Sequence, residues 1–126
     1  MALRTWTIRE VLDWTTQDFA GRGIPSPRLD AELLVAKALG TDRVGLYLDL
    51  NRPLVGEERS AIRPLVARRR EREPVAYILG HRDFYGRRFK VPPDVLIPRP
   101  DTETLVEHAL ECIPEDAACR VLDVGT

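Results

Sequence analysis

Only two cysteines, Cys112 and Cys119, occur in the 126 residues, and they stand seven positions apart. Two thiols cannot make a disulfide framework. Without a second pair or a suitably spaced histidine they also make a poor zinc site, so buried or semi-exposed free thiols are expected. No apolar run approaches the roughly 18 residues that a membrane-spanning helix needs. Met1 to Glu10 lacks the basic start and apolar stretch of a signal peptide, so a cytoplasmic protein is expected. No Ser–His–Asp order, paired carboxylate cage or Walker-type lysine loop is present. His81 and His108 have no nearby partner set, and His108 reads as a solvated helical histidine between Glu107 and Glu111. What remains is ordinary for a globular chain of one-domain size, 44% hydrophobic and 31% charged.

The net charge of −1 gives no global field for nucleic acid, but its distribution is uneven. From Arg59 to Lys90 ten cations face three anions, a local +7. The segment before holds seven cations and nine anions (−2), and the segment after holds two and eight (−6). A basic middle between acidic flanks fits either a solvated helix face ion-paired with those flanks or a partner-binding patch.

Thr7-Ile8-Arg9-Glu10 has capping-box spacing, and Ile8, Val11, Leu12, Thr15 and Phe19 follow at helical spacing until Gly21 and Gly23. Ser26-Pro27 signals a second helix, capped by the hydroxyl and started by proline, with Leu29, Leu33, Leu34 and Ala38 as its buried stripe and Gly40 as its stop. Thr41-Asp42 is expected to cap a short third helix carrying Val44, Leu46, Tyr47 and Leu48. A fourth starts near Glu57 with Ile62, Leu65 and Val66 apolar. Pro64 predicts a kink or a late start, and Arg68 to Arg70 complement the helix dipole. Pro74 opens a helical turn, Val75 to Leu79, ended by Gly80. The period then changes: Phe84 to Val91 alternates around Gly86, the pattern of a β-hairpin. Pro92-Pro93 and Pro98-Arg99-Pro100 enforce extended backbone. Asp101-Thr102 is expected to cap a last helix with a core stripe of Leu105, Val106, Ala109 and Leu110. A polar loop, Ile113 to Asp116, then leads to a buried strand over Val121 to Val124.

Two stretches point to chemistry. Arg120-Val121-Leu122-Asp123-Val124-Gly125-Thr126 reads as a strand running through an acidic residue into a glycine turn, the start of a nucleotide- or cofactor-binding loop. Such a loop needs further glycines, so the chain reads as the N-terminal part of a larger enzyme. In Pro98-Arg99-Pro100-Asp101-Thr102-Glu103, two prolines hold a guanidinium beside helix N-terminal amides, an arrangement that can bind an anionic group or fix a pocket edge.

Five strings occur in order: Leu29-Asp30-Ala31-Glu32-Leu33-Leu34; Glu73-Pro74-Val75-Ala76-Tyr77-Ile78-Leu79-Gly80; Phe84-Tyr85-Gly86; Leu96-Ile97-Pro98-Arg99-Pro100-Asp101-Thr102-Glu103; and Val121 to Thr126. Together they closely resemble the N-terminal half of the peptide chain release factor glutamine methyltransferase family, which commonly has Glu where Asp101 stands. The resemblance implies a mainly α chain: a small N-terminal helical bundle, a β-hairpin connector, then the first helix and strand of a truncated Rossmann-like α/β methyltransferase domain. It also implies S-adenosyl-L-methionine as cofactor, and methyl transfer to the side-chain amide nitrogen of the glutamine in the release factor's Gly-Gly-Gln motif. Gly125 and Thr126 correspond to the first positions of the cofactor loop and Asp123 to its strand-end acid. Leu96 corresponds to an apolar residue packing on the cofactor, with Arg99 to Thr102 lining the same pocket. The family's Asn-Pro-Pro-Tyr motif, which holds the substrate amide, has no match: the only asparagine is Asn51, followed by Arg52.

The sequence therefore predicts a helical substrate-recognition domain over 1–80, a hairpin and Pro-rich linker over 81–100, and the start of a methyltransferase domain over 101–126, without catalytic residues in this stretch. Release factors are the expected partners, with Arg68, Arg69 and Arg72 as candidate contacts and no metal. Two other readings compete. One is a fragment of a methyltransferase acting on the exocyclic amine of a nucleic-acid base; the other is a helical interaction module without catalysis.

Overall fold

A computed structural model describes residues 5–116 and 118–124. The elements are α1 (Ile8–Gly21), α2 (Pro27–Leu39), α3 (Arg43–Leu48), α4 (Gly56–Arg70), α5 (Val75–Leu79), β1 (His81–Phe84), β2 (Arg87–Lys90) and α6 (Pro100–Cys112). They fall into two compact units, Met1–Gly80 and His81–Thr126. Among the described residues no helix is long and apolar enough to cross a membrane, and no cluster of acidic, histidine or cysteine side chains has the makings of a metal site.

In the first unit, the Thr7 hydroxyl accepts from the Glu10 amide at 3.2 Å and caps α1. The next free amides of α1 are met by the chain ahead of α4: Ile8 donates to the Arg52 carbonyl at 3.1 Å and Arg9 to that of Leu50 at 2.9 Å. α2 is the hub, packed against α1, α3, α4 and α5. Its Ala31, Leu34 and Val35 meet Ile8, Leu12 and Phe19 of α1, Leu46 of α3, Ile62 and Val66 of α4 and Ile78 of α5 in one core. Each large side chain buried there contributes on the order of 1.5–3 kcal/mol.

The helices depart from the sequence pattern at several points. The Ser26 side chain makes no capping bond, and α2 starts on the preset φ of Pro27 alone. The stripe of α2 is also different: Leu29 is exposed and Leu33 and Ala38 are half-buried, while Asp30 and Glu32 are buried. A helix enclosed by four others has no single solvent face, so apolar periodicity cannot mark its buried side. In α3 only Leu46 is buried; Val44, Tyr47 and Leu48 lie outside, although Asp42 caps as expected by accepting from the Gly45 amide at 2.7 Å. α4 begins at Gly56, with the Glu58 carboxylate accepting from the Val55 amide at 3.1 Å, and runs through Pro64 without interruption. Pro64 and Ser60, four residues earlier, are both exposed, so water can replace the missing donor.

In the second unit, β1 and β2 pair antiparallel with His81 opposite Lys90 and Phe84 opposite Arg87. The hairpin thus starts at His81, earlier than the alternation at Phe84 indicates, and Val91 lies beyond it. Its two-residue turn has φ of 49° at Tyr85 and 70° at Gly86, the left-handed pair that suits the twist of a tight hairpin. Phe84 and Phe89 meet edge to face at 6.1 Å.

α6 starts at Pro100 with Arg99 as its cap residue, two residues ahead of the Asp101 cap that Asp101-Thr102 implies. None of its residues is buried: Leu105 and Leu110 are exposed and Val106 half-buried, because a hairpin and one helix offer no second layer to cover the stripe. Residues 121–124 form no strand and are exposed; a strand exists only through a neighbour's ladder, and none lies beside them among the described residues. Cys112 and Cys119 are both free, as expected, but exposed rather than buried or semi-exposed.

Candidate functional site

The residues that the family resemblance assigns to a cofactor fall within the second unit. Leu96 stands 79% exposed on the loop entering α6, next to buried Ile97. Arg99 is exposed, makes no side-chain cap, and its carbonyl accepts from the Thr102 amide at 3.1 Å, so these two share the first turn of α6. The Glu103 carboxylate accepts from the Tyr85 amide at 2.8 Å, fastening the start of α6 to the hairpin turn. Asp101 and Glu103 complement the helix dipole. Asp123 is exposed, and among the described residues no hydrogen bond or ion pair joins it to Leu96, Arg99 or Thr102. Gly125 and Thr126 lie outside the described residues.

The first unit carries two polar constellations. Glu32, 1% exposed, is held by the Arg28 Nε at 3.3 Å, the Arg43 Nε at 3.1 Å and the Tyr47 hydroxyl. Arg28 also reaches Asp13 at 2.9 Å. Burial pushes the Glu32 carboxyl up, but the Tyr47 and Arg43 hydrogen bonds and the two nearby guanidinium charges outweigh it and hold it below the usual carboxylate range. Asp30 pairs with the Arg69 Nε at 2.9 Å. Here burial wins over Arg69 and the carboxyl is raised.

The arginines at the end of α4 are largely taken up internally. Arg69 binds Asp30 and the Glu73 carbonyl, and Arg68 pairs with Glu73. Arg72, at a φ of 72°, donates to the Arg22 carbonyl. Arg70 shares Asp18 with Arg22, each at 3.2 Å. Arg68 and Arg72 keep exposed side chains, whereas Arg69 is only 14% exposed.

A second basic surface draws on cations of the same charge run, which by itself does not show that they share a face. Between α1 and α4 opens a groove of about 550 Å³. Trp6, Val11 and Trp14 form one wall, Ile62, Val66 and Ala67 the other, and Arg59, Arg63 and Arg70 line it. Among the described residues Arg59 and Arg63 have no ion-pair partner, and the Arg59 Nε is buried without a hydrogen bond. The signal for this face was the four-residue spacing of Arg59 and Arg63 on α4 together with Trp6 ahead of α1 and Trp14 at its middle, two elements whose shared groove only the fold reveals.

The model of the PrmC N-terminal domain family matches residues 10–80. Among similar proteins, the Release factor glutamine methyltransferase of Geobacter sulfurreducens is 55% identical over 120 residues, covering 95% of this chain and 42% of the relative. Those of Rhodopirellula baltica and Koribacter versatilis are 45% and 44% identical over 125 and 120 residues. The chain spans less than half the length of each of these relatives. With the matching region forming one helical unit that has its own core, the chain belongs to the PrmC N-terminal domain family.

Proposed function

We propose that this chain supplies the protein-recognition unit, and the entrance to the cofactor site, of an enzyme that transfers a methyl group from S-adenosyl-L-methionine to the glutamine side-chain amide of the Gly-Gly-Gln motif of release factors, in the cytoplasm. The observation that carries the reading is the 44–55% identity to proteins named release factor glutamine methyltransferase over nearly the whole chain. The cofactor, when bound, supplies the methyl group. Leu96 would cover its apolar face, Arg99 and Thr102 would line the same pocket, and Asp123 with Gly125 and Thr126 would begin the loop around it. An amide nitrogen is a weak nucleophile, so alignment supplies most of the barrier reduction. Exposed Arg68 and Arg72 offer charge toward the release factor, with Arg69 contributing through its hold on Asp30.

A chimera tests this. Residues 1–80 of this chain replace the matching stretch of the Geobacter sulfurreducens relative, and the product meets release factor and labelled cofactor. Label on the glutamine of the Gly-Gly-Gln motif is the expected result; a folded chimera without transfer, beside an active parent, overturns the reading. The 126-residue chain alone, which has no Asn-Pro-Pro-Tyr motif, should leave the label free.

A further inference from the structure

The groove between α1 and α4 has features that the bundle does not need for its own stability. A half-exposed tryptophan, Trp14, lies among Val11, Ile62 and Val66, where a self-contained helix pair would present polar side chains to water. Arg59 and Arg63 stand one helical turn apart on the same face without acidic partners among the described residues. In contrast, Arg28, Arg43, Arg52, Arg68, Arg69 and Arg70 all have one. The Arg59 Nε is withdrawn from water and makes no hydrogen bond, which costs free energy until an acceptor arrives. Tryptophan and arginine together are the side chains that dominate binding energy at protein interfaces.

We propose that this groove docks an acidic segment of the protein substrate, a stretch in which carboxylates meet Arg59 and Arg63 while one large apolar side chain packs on Trp14. Charge complementarity selects the occupant: the free charges of the groove are cationic, and its walls are too apolar for a purely ionic ligand. The segment is held as in helix-in-groove recognition, with the arginines setting direction and the tryptophan the anchor. The proposal rests on the release-factor reading above and moves the main contact from the end of α4 to its middle.

Calorimetric titration of the 126-residue chain with the release factor of Geobacter sulfurreducens, at several salt concentrations, tests it. Arg63→Glu, at an exposed position, should weaken binding by about tenfold or more and reduce the salt dependence, and Trp14→Ala should weaken it at all salt concentrations. Arg59→Lys keeps the charge and should retain most of the affinity. Arg87→Glu with Lys90→Glu, on the hairpin, makes a larger change in net charge and should leave binding as it is. Melting temperatures separate lost contact from lost fold. If the unaltered chain binds and Arg63→Glu binds equally tightly, or the hairpin variant weakens binding as much, the groove proposal falls and the release-factor reading stands. If the unaltered chain does not bind while the parent enzyme does, the recognition reading fails first. Tryptophan fluorescence that responds to adenosine monophosphate but not to release factor would assign the groove, which Trp6 and Trp14 both line, to a small anion and overturn the proposal.

Discussion

Glu32 shows how a single buried charge can tie two elements together. It lies on α2, yet its partners come from the start of α2 and both ends of α3, so the carboxylate ties α3 onto the bundle through Arg43 and Tyr47. Because the folded-state carboxyl lies below its ordinary range, its stabilisation is fully present above the unfolded value of about 4.3. It is lost as pH falls through that value toward the folded one. Asp30 has the opposite sign: its raised carboxyl favours the fold at low pH, and that contribution declines as pH rises from about 3.9 through the folded value. Glu32→Gln should therefore lower stability at neutral pH by about 1–3 kcal/mol, since partly exposed Arg28 and Arg43 lose their shared anion. It should also flatten the loss of stability between about pH 5 and 3. Urea unfolding at a series of pH values checks both. An unchanged pH profile would mean that the cluster is peripheral to stability.

At the scale of the element, α2 separates pattern from packing. Leu29 and Leu34 belong to the same expected stripe, but Leu34 is fully buried and Leu29 is 41% exposed. Leu34→Ala should cost about 2–5 kcal/mol through lost burial and the cavity left behind. Leu29→Ala should cost well under half of that. Thermal melts of the two variants decide it, and equal losses would contradict the arrangement of α2 within the bundle. The apolar faces of α3 and α6 repeat the point. Val44 and Leu48 stand four residues apart on α3, and Leu105 and Leu110 belong to the expected stripe of α6, yet all four are exposed. Spacing reports that a face exists, and only a neighbouring element makes it core.

The two units differ as wholes in how much holds them. The first is closed around one hub helix, whereas the second has a two-stranded hairpin, one helix without a buried residue, and a tail. A lone hairpin is marginal in water, and backbone amides without partners exchange freely. Amides of residues 121–124 should therefore exchange with solvent deuterium orders of magnitude faster than those of Leu34 and Val35. Equal protection would mean that the tail pairs with a strand, such as one from a second copy of the chain.

Much of this was legible in the sequence because it rests on short-range chemistry. Thr7 and Asp42 cap where their side chains reach the third amide onward. The glycines at 40, 80 and 86 accept positive φ, and Pro27 begins a helix on a preset dihedral. The family strings were legible for the same reason, being contiguous. Left to the tertiary structure was every question of which face meets which: that Asp30 and Glu32 are buried, that Arg69 serves the interior, and that Arg59 and Arg63 share a groove with Trp14. Those outcomes depend on pairs such as Asp30 and Arg69, 39 residues apart, whose meeting is set by helix packing and not by any local preference of the residues themselves.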